Sequence, residues 1–481
     1  MRPRSGGFRR AVLPALAVTP LPADAPRRRI AYDPRNPLAR PFASQLGAFR
    51  SGTSTPRAFL EECLDTLTRD EPAIAAFVTL GLDAARASAD AATARWREGR
   101  PLSLVDGMPI AVKDMIETID MPTQMNSPIF AGWQSRRDAA CVAAMRQAGA
   151  VIVGKSVTTE FACGNSGPTR NPYDSARTPG GSSSGSAASV GAGMVSMGFG
   201  TQTHGSTIRP AGYCGAYGLK PSLGALHTGG LAPLGPTLDH LGIIAASLED
   251  AWTSAKAIAS IAGGTPPHPG MRGPMETPAA LRPATLVRLN TLGWAETPAS
   301  SQAAFEAAVS AIAAAGVTIL DASNDAGVAA LEAELARIDD YATDLLAWES
   351  RAALGAYRAH GDHMVGARVH DLLERAAGMD TARYERGLAG RQRLRDLVAG
   401  FAGRVQGFVM LSSSGPAIAD HAYTGSRNYA LPWTMVAAPS ISLPLLVDQE
   451  LPLGLQIAGF AEGDAETCAI GAWLRDTLLK H

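Results

Sequence analysis

Residues 178–208 read TPGGSSSGSAASVGAGMVSMGFGTQTHGSTI, thirty-one positions without one Asp, Glu, Lys or Arg. A run so free of charge must either sit in a core or serve as a spacer. A membrane helix needs about twenty mostly apolar residues in succession, and here Gly and Ser dominate. A flexible Gly/Ser linker would not carry Val190, Met194, Val195, Met197 and Phe199. What remains is a buried, close-packed segment flanked by two exposed serine-rich turns, at residues 180–185 and 203–206.

Such a segment needs a large core around it, and the chain can supply one. Its 481 residues are 46% hydrophobic and 18% charged, an ordinary globular composition. The length fits either several domains or one large enzyme unit. A formal net charge of −1 provides no basic field for nucleic acid. Cys63, Cys141, Cys163, Cys214 and Cys468 are scattered and never in CxxC spacing. That pattern indicates neither a disulfide framework nor a zinc site, and it fits a reducing compartment. Residues 1–10 are basic, 11–21 are fairly apolar, and Ala23-Asp24-Ala25 has the form of a cleavage site. Arg9-Arg10 loosely matches a twin-arginine signal, but Pro14 and Pro20 interrupt the apolar run. Residues 1–37 therefore read as an extension without regular structure, on a cytoplasmic protein, with periplasmic export as the alternative. No other stretch reads as membrane-spanning.

Along the chain, Ser54-Thr55-Pro56 is a helix start signal, and Phe59, Cys63, Leu64 and Leu67 follow at helical spacing. An alanine-rich helix is expected over 82–98, then a short apolar strand ending at Lys113. The pattern predicts a helix over 139–149, a buried strand over 151–153 and another helix over 156–163. This alternation predicts an α/β fold with a central sheet. Turn residues crowd 214–236, Ser247 to Asp250 has capping-box spacing, and 298–400 is helical in pattern. Strands return over 437–459, and a last helix begins near Glu466. Strands both early and late predict one sheet that joins the two ends of the chain.

Two motifs mislead. Gly149-Ala-Val-Ile-Val-Gly154-Lys155-Ser156 matches the phosphate-loop pattern, but a helix precedes Gly149 and the middle residues form a strand. The pattern works only as a loop after a strand, so it predicts no nucleotide site here. His360, Asp362, His363 and His370 have metal-ligand residue types, but they fall in an exposed, charged helical region and indicate no metal. A third set is more informative. Lys113 is the one lysine before Lys155 and leads out of the apolar run Ile110-Ala-Val. A desolvated lysine can lose its proton near neutrality and act as a general base. Ser182 lies in a turn opened by Gly180 and Gly181, and Ser206 follows Thr203-His204-Gly205, where successive amides can face one oxyanion. No GxSxG elbow with a following Asp and His is evident, which argues against a Ser–His–Asp triad.

The stretches GMPIAVKD, GKSVTTEFACG, GPTRNPYDSARTPGGSSSGSAA, GTQTHGSTIRPAGYCGAYGLKPS and PLGPTLDHLG, with PSISLPL and PLGLQIAG near the end, closely resemble the amidase signature enzymes. The resemblance spans about residues 40–475. It implies a single α/β/α domain over 38–481, with a large mixed sheet flanked by helices on both faces. It also implies a Ser–cisSer–Lys triad: Ser206 as nucleophile, Ser182 bridging, and Lys113 as base. The amides of Thr203, His204, Gly205 and Ser206 would form the oxyanion hole. The implied activity is cofactor-independent hydrolysis of a small-molecule carboxamide through a Ser206 acyl-enzyme, without metal, nucleic acid or membrane, and with a homodimer as a candidate assembly. Substrate choice would fall to the helical stretch 298–400 and the loop at Met125 and Asn126, with Arg209 a candidate for binding an acidic substrate group.

The chain departs from the family pattern where His204 replaces a Gly, in a turn that could demand positive φ. Gln202 replaces a frequent Asp, and Thr207-Ile-Arg209 replaces the commoner order. Two other functions compete with the amidohydrolase: the glutamine-hydrolysing A subunit of a glutamyl-tRNA amidotransferase, and a binding protein on an amidase fold.

Overall fold

Strand residues that are apolar without alternation belong to a sheet covered on both faces, and most strands of this protein are of that kind. The computed structural model describes residues 27–480. Its strands are β1 (Phe77–Leu80), β2 (Pro109–Lys113), β3 (Val151–Ser156), β4 (Met197–Gln202), β5 (Tyr217–Lys220), β6 (His240–Ala245), β7 (Thr285–Arg288), β8 (Thr318–Leu320), β9 (Gly407–Leu411), β10 (Ser440–Asp448) and β11 (Leu451–Ala458). They form one sheet in the order β1-β3-β2-β4-β6-β5-β10-β11-β9-β7-β8. β2 runs parallel to β3 and β4, and β7 runs parallel to β8 and β9. The antiparallel pairing of β5 with β10 joins the early strands to the late ones.

Successive strand residues enter different cores. Ile110, Val112, Ile152, Met197, Phe199 and Ile243 join one apolar cluster, with Trp252 and Ile258 of the helix Leu248–Ala262. Ala111, Val151, Val153 and Ile244 join another, with Ala187, Ala188 and Val190 of the helix Ser184–Gly191. The period-two alternation therefore places helices on both faces, an α/β/α arrangement. The helix Ser184–Gly191 is buried along its whole length and packs on β2, β3 and β4, which its Gly, Ala and Ser residues allow.

Caps fall where the composition places them. The Thr55 side chain accepts the amide of Ala58 before the helix Pro56–Ile74, and Ser247 Oγ accepts the amide of Asp250 at 3.0 Å. The Asp250 carboxylate accepts the amides of Phe42 (2.9 Å) and Ala43 (2.8 Å), fastening the early chain to this helix. Part of the expected extension is likewise fastened: Ile30 donates to the Tyr173 carbonyl at 2.7 Å, and Tyr32 donates to that of Glu450 at 2.8 Å. The export-type pattern lies in residues 1–26, outside the described residues. Among those described, no helix is long and apolar enough to cross a membrane.

Two expectations change. The stretch 156–163 is not a helix: Ser156 ends β3, and only Glu160–Ala162 turns, as a short 3-10 segment. Its backbone is already committed elsewhere, since Val157 donates to the Ala76 carbonyl (2.8 Å) and accepts from Gly185 (3.0 Å). Stretch 298–400 is mostly helical but contains β8, and its first helix, Ala299–Ala314, packs on β10 and on the last helix, Asp464–Leu478. Within this stretch, the helices Asp339–Arg358 and Ala367–Ala377 are the ones that reach the site.

Candidate active site

β2 and β4 are parallel neighbours, so Lys113 at the end of one and the turn after the other emerge at the same sheet edge. Carboxyl ends of parallel strands are the usual ligand position in such sheets. The Lys113 side chain is fully buried. Its Nζ lies 2.7 Å from Ser182 Oγ, 3.0 Å from Ser183 Oγ and 2.7 Å from Thr201 Oγ1. Burial pulls the amine well below the ordinary lysine range, opposed by the charge of Asp239. A neutral amine has two protons and one lone pair, so three hydroxyls match it: two accept and one donates.

Ser182 is held in the turn that opens the helix Ser184–Gly191, and its peptide bond with Gly181 is cis. Gly180 has φ 78°, and a Cβ there would lie 3.0 Å from Pro210 Cα. The turn therefore requires glycine. Arg209, buried beneath it, donates to the Gly181 carbonyl and, at 3.0 Å, to Thr424 Oγ1.

The second turn is organised by its neighbours' side chains. Thr203 Oγ1 donates to Asp239 Oδ1 at 2.6 Å, and Asp239 also accepts the amides of Leu234 (2.8 Å) and Gly235 (3.0 Å). Gln202 Oε1 accepts the amides of Thr207 (3.0 Å) and Ile208 (3.1 Å). Among the described residues, the amides of Thr203, His204, Gly205 and Ser206 have no acceptor. Four successive free amides are donors available to a negatively charged group. His204 does not have positive φ, so its Cβ fits the turn. Every residue of 178–208 is buried except Ser206, which is half-buried.

Ser182, Ser206 and the whole turn 203–206 line a cavity of about 390 Å³. Its walls include Leu234, Leu346, Arg368, Tyr423 and Arg427.

The sequence model of the Amidase family matches residues 58–468. The chain belongs to the amidase family. The glutamyl-tRNA(Gln) amidotransferase A subunit of Anaeromyxobacter dehalogenans is 31% identical over 438 residues, 83% of this chain and 88% of that protein. Its counterpart in Chloroflexus aurantiacus is 41% identical over 239 residues, 48% of each chain, so the chain spans about half the length of that relative. A solved structure described as an unexpected vestigial protein complex, revealing the evolutionary origins of an s-triazine catabolic enzyme, is similar at a TM-score of 0.79 and 26% identity. It is covered over 98% of its length and 91% of this chain. The chain thus has the fold of the amidase family.

The other candidate residues fall in different places. Arg209 lines the cavity, and its Nε is buried without a partner among the described residues. Met125 does not line it: the side chain packs among Met115, Phe161 and Leu346, and its carbonyl accepts the Phe161 amide at 3.2 Å. Lys155 of the phosphate-loop pattern is buried at the end of β3, donating to Ile116 O (2.9 Å), Pro122 O (3.1 Å) and Thr123 Oγ1 (2.6 Å), so neither its amine nor a loop is free for phosphate. His360 and His363 are exposed, and His370 Nε2 lies 3.0 Å from the Asp362 carbonyl. Thr201, Asp239 and Arg427 are site residues that sequence reasoning does not single out. Asp239 lies within the motif PLGPTLDHLG, but nothing local marks Arg427.

Proposed function

We propose that this amidase hydrolyses linear carboxamides by acyl transfer to Ser206, with Ser182 and Lys113 relaying the proton. The observation that carries the reading is the buried Lys113 amine 2.7 Å from Ser182 Oγ, beside a half-buried Ser206. Neutral Lys113 takes the Ser182 proton, Ser182 takes that of Ser206, and Ser206 Oγ bonds to the carbonyl carbon. The developing oxyanion meets the amides of residues 203–206. As the tetrahedral species collapses, the C–N bond breaks and the relay returns its proton to the leaving nitrogen. Water then repeats the attack on the acyl-enzyme, releasing the carboxylic acid and freeing Ser206.

The cavity of about 390 Å³ suits a small-molecule amide. Arg209 supports an acidic group on that substrate, because no carboxylate of the described residues pairs with it. Met125 is assigned an indirect part, supporting the wall through Phe161.

The test is an amide panel with purified enzyme. Ser206→Ala is expected to abolish release of ammonia or amine, and Lys113→Ala to cost on the order of 10³–10⁶-fold in kcat. Activity surviving Ser206→Ala, or a phosphonyl fluoride label mapping to another residue, would sink the assignment. Because the working amine is neutral and its pKa is depressed, kcat/KM is expected to fall as pH drops through that pKa, not at the ordinary lysine value. A second reading rests on the relative matched over 88% of its length, an amidotransferase A subunit. On that reading, glutamine would be hydrolysed only in company with a partner protein, so glutamine-dependent ammonia release that requires a co-purifying protein would decide for it.

A further inference from the structure

The free amides of residues 203–206 cannot hold their own turn in place, because none is bonded to the described residues. Side chains fix its ends through Thr203 and Gln202, and its middle is fixed through His204. Arg427 Nη1 donates to His204 Nδ1 at 2.9 Å, so the imidazole is neutral with its proton on Nε2. Burial, then the cations Arg427 and Arg368, keep His204 in that state by pulling its pKa well below the ordinary value. The other arm of the same guanidinium donates to Asp339 Oδ1 and Thr343 Oγ1, each at 2.8 Å. Both acceptors lie in the helix Asp339–Arg358. A Cβ on Gly205 would touch Ala430 Cβ at 3.3 Å and Arg427 Cβ at 3.5 Å, so the turn also packs directly on the Arg427 segment.

One side chain therefore ties together three parts of the cavity: the amide turn, the segment around residue 427, and a helix whose Leu346 forms another wall. We propose that Arg427 is a positioning residue, which holds neutral His204 against the helix Asp339–Arg358 and so aims the amides of residues 203–206 at the reacting carbonyl. The wall that contacts the substrate and the turn that stabilises its transition state then move as one body. This rests on Ser206 being the nucleophile.

The test uses the full chain and the best substrate of the amide panel. Arg427→Met removes the hydrogen bonds while keeping most of the bulk, and His204→Leu removes the acceptor. His204→Asn keeps an acceptor near the Nδ1 position. Misplacing oxyanion donors costs rate, not ground-state binding, so Arg427→Met and His204→Leu are each expected to lower kcat roughly 10–100-fold, with KM within about threefold. Phosphonyl fluoride labelling of Ser206 slows in parallel. His204→Asn recovers most of the rate, and the double variant Arg427→Met/His204→Leu is no worse than either single one, because the two side chains act as a unit. If Arg427→Met does not fold, His204→Leu and His204→Asn carry the same comparison. Variants that lose thermal stability but keep kcat, change KM alone, or combine multiplicatively would overturn the proposal. An active wild type with an inactive Ser206→Ala, alongside an unimpaired Arg427→Met, rejects the clamp and leaves the nucleophile standing.

Discussion

Two regions meet at the cavity, and they are built by opposite means. Residues 178–208 contain no charged side chain and are buried except at Ser206; the helix Ser184–Gly191 within them is held by close packing of small residues, and side chains from outside reach the turns at Ser182 and 203–206. The helices from Asp339 to Ala399 are rich in arginine and are joined by side-chain pairs. Arg375 and Arg383 both reach Asp344, at 2.6 and 2.7 Å, and the Arg351 guanidinium lies 3.9 Å from the Trp348 ring centre. On the proposed mechanism the first region fixes the position of the reacting atoms, and its packing leaves little room for change. The second can exchange one side-chain pair for another, which on the proposed function suits a wall that selects the substrate. On the proposed function, chemistry and specificity rest on different kinds of interaction.

The strongest way to break this contrast is Gly185→Ala. A Cβ there would lie 2.2 Å from the Ala76 carbonyl oxygen and 2.4 Å from the Val157 nitrogen, both backbone atoms of buried residues. No side chain can turn aside to admit it. The substitution is expected to cost at least about 3 kcal/mol and to leave little soluble, active enzyme. A variant that melts close to wild type would show that the segment is not tightly packed after all.

This difference also decides what can be read from the sequence. Close packing of small residues leaves a local trace: the charge-free run, the glycines around Ser182, and the apolar run into Lys113 are contiguous in the chain. They suffice to indicate an α/β core and to mark residues that the fold brings together. Side-chain pairing leaves no such trace. Arg427 lies 223 residues from His204, and Thr201 reaches Lys113 across 88, so neither contact is visible in any window. The same limit explains residues 156–163, where apolar spacing suggests a helix but hydrogen bonds to Ala76 and Gly185 draw the backbone into extended form. β8 is only three residues long, too short to interrupt the helical pattern around it.

Asp239 sharpens the comparison, because it is where a charge faces the uncharged segment. Its carboxylate binds Thr203 and opposes the depression of the Lys113 pKa. Burial raises its own pKa to about 6, and Glu349 of the helix Asp339–Arg358 adds to that rise. Asp239→Asn removes the negative charge and keeps one acceptor oxygen, which can serve Thr203 or the amides of Leu234 and Gly235 but not both. With less to stabilise its protonated form, the Lys113 amine loses its proton at lower pH, so the acid limb of kcat/KM is expected to move to lower pH. A limb that stays in place, or moves upward, would show that Asp239 does not act on the lysine.

The smallest effect belongs on the helical side. Asp344 is buried, which by itself would raise its pKa, but Arg383 and Arg375 hold it below the usual range. Both arginines are partly exposed, so each contributes as a surface ion pair does, well under the cost of a buried clash. Arg383→Ala leaves Arg375 to neutralise Asp344 and is expected to lower stability by no more than about 1 kcal/mol, with kcat unchanged. The loss should shrink further in high salt, where screening weakens the wild-type pair as well. Thermal melts at two ionic strengths, with kcat measured on the same samples, test this. A loss as large as that of Gly185→Ala, or a fall in kcat without a fall in stability, would mean that the Arg383–Asp344 pair takes part in the chemistry and that the division of labour is wrong.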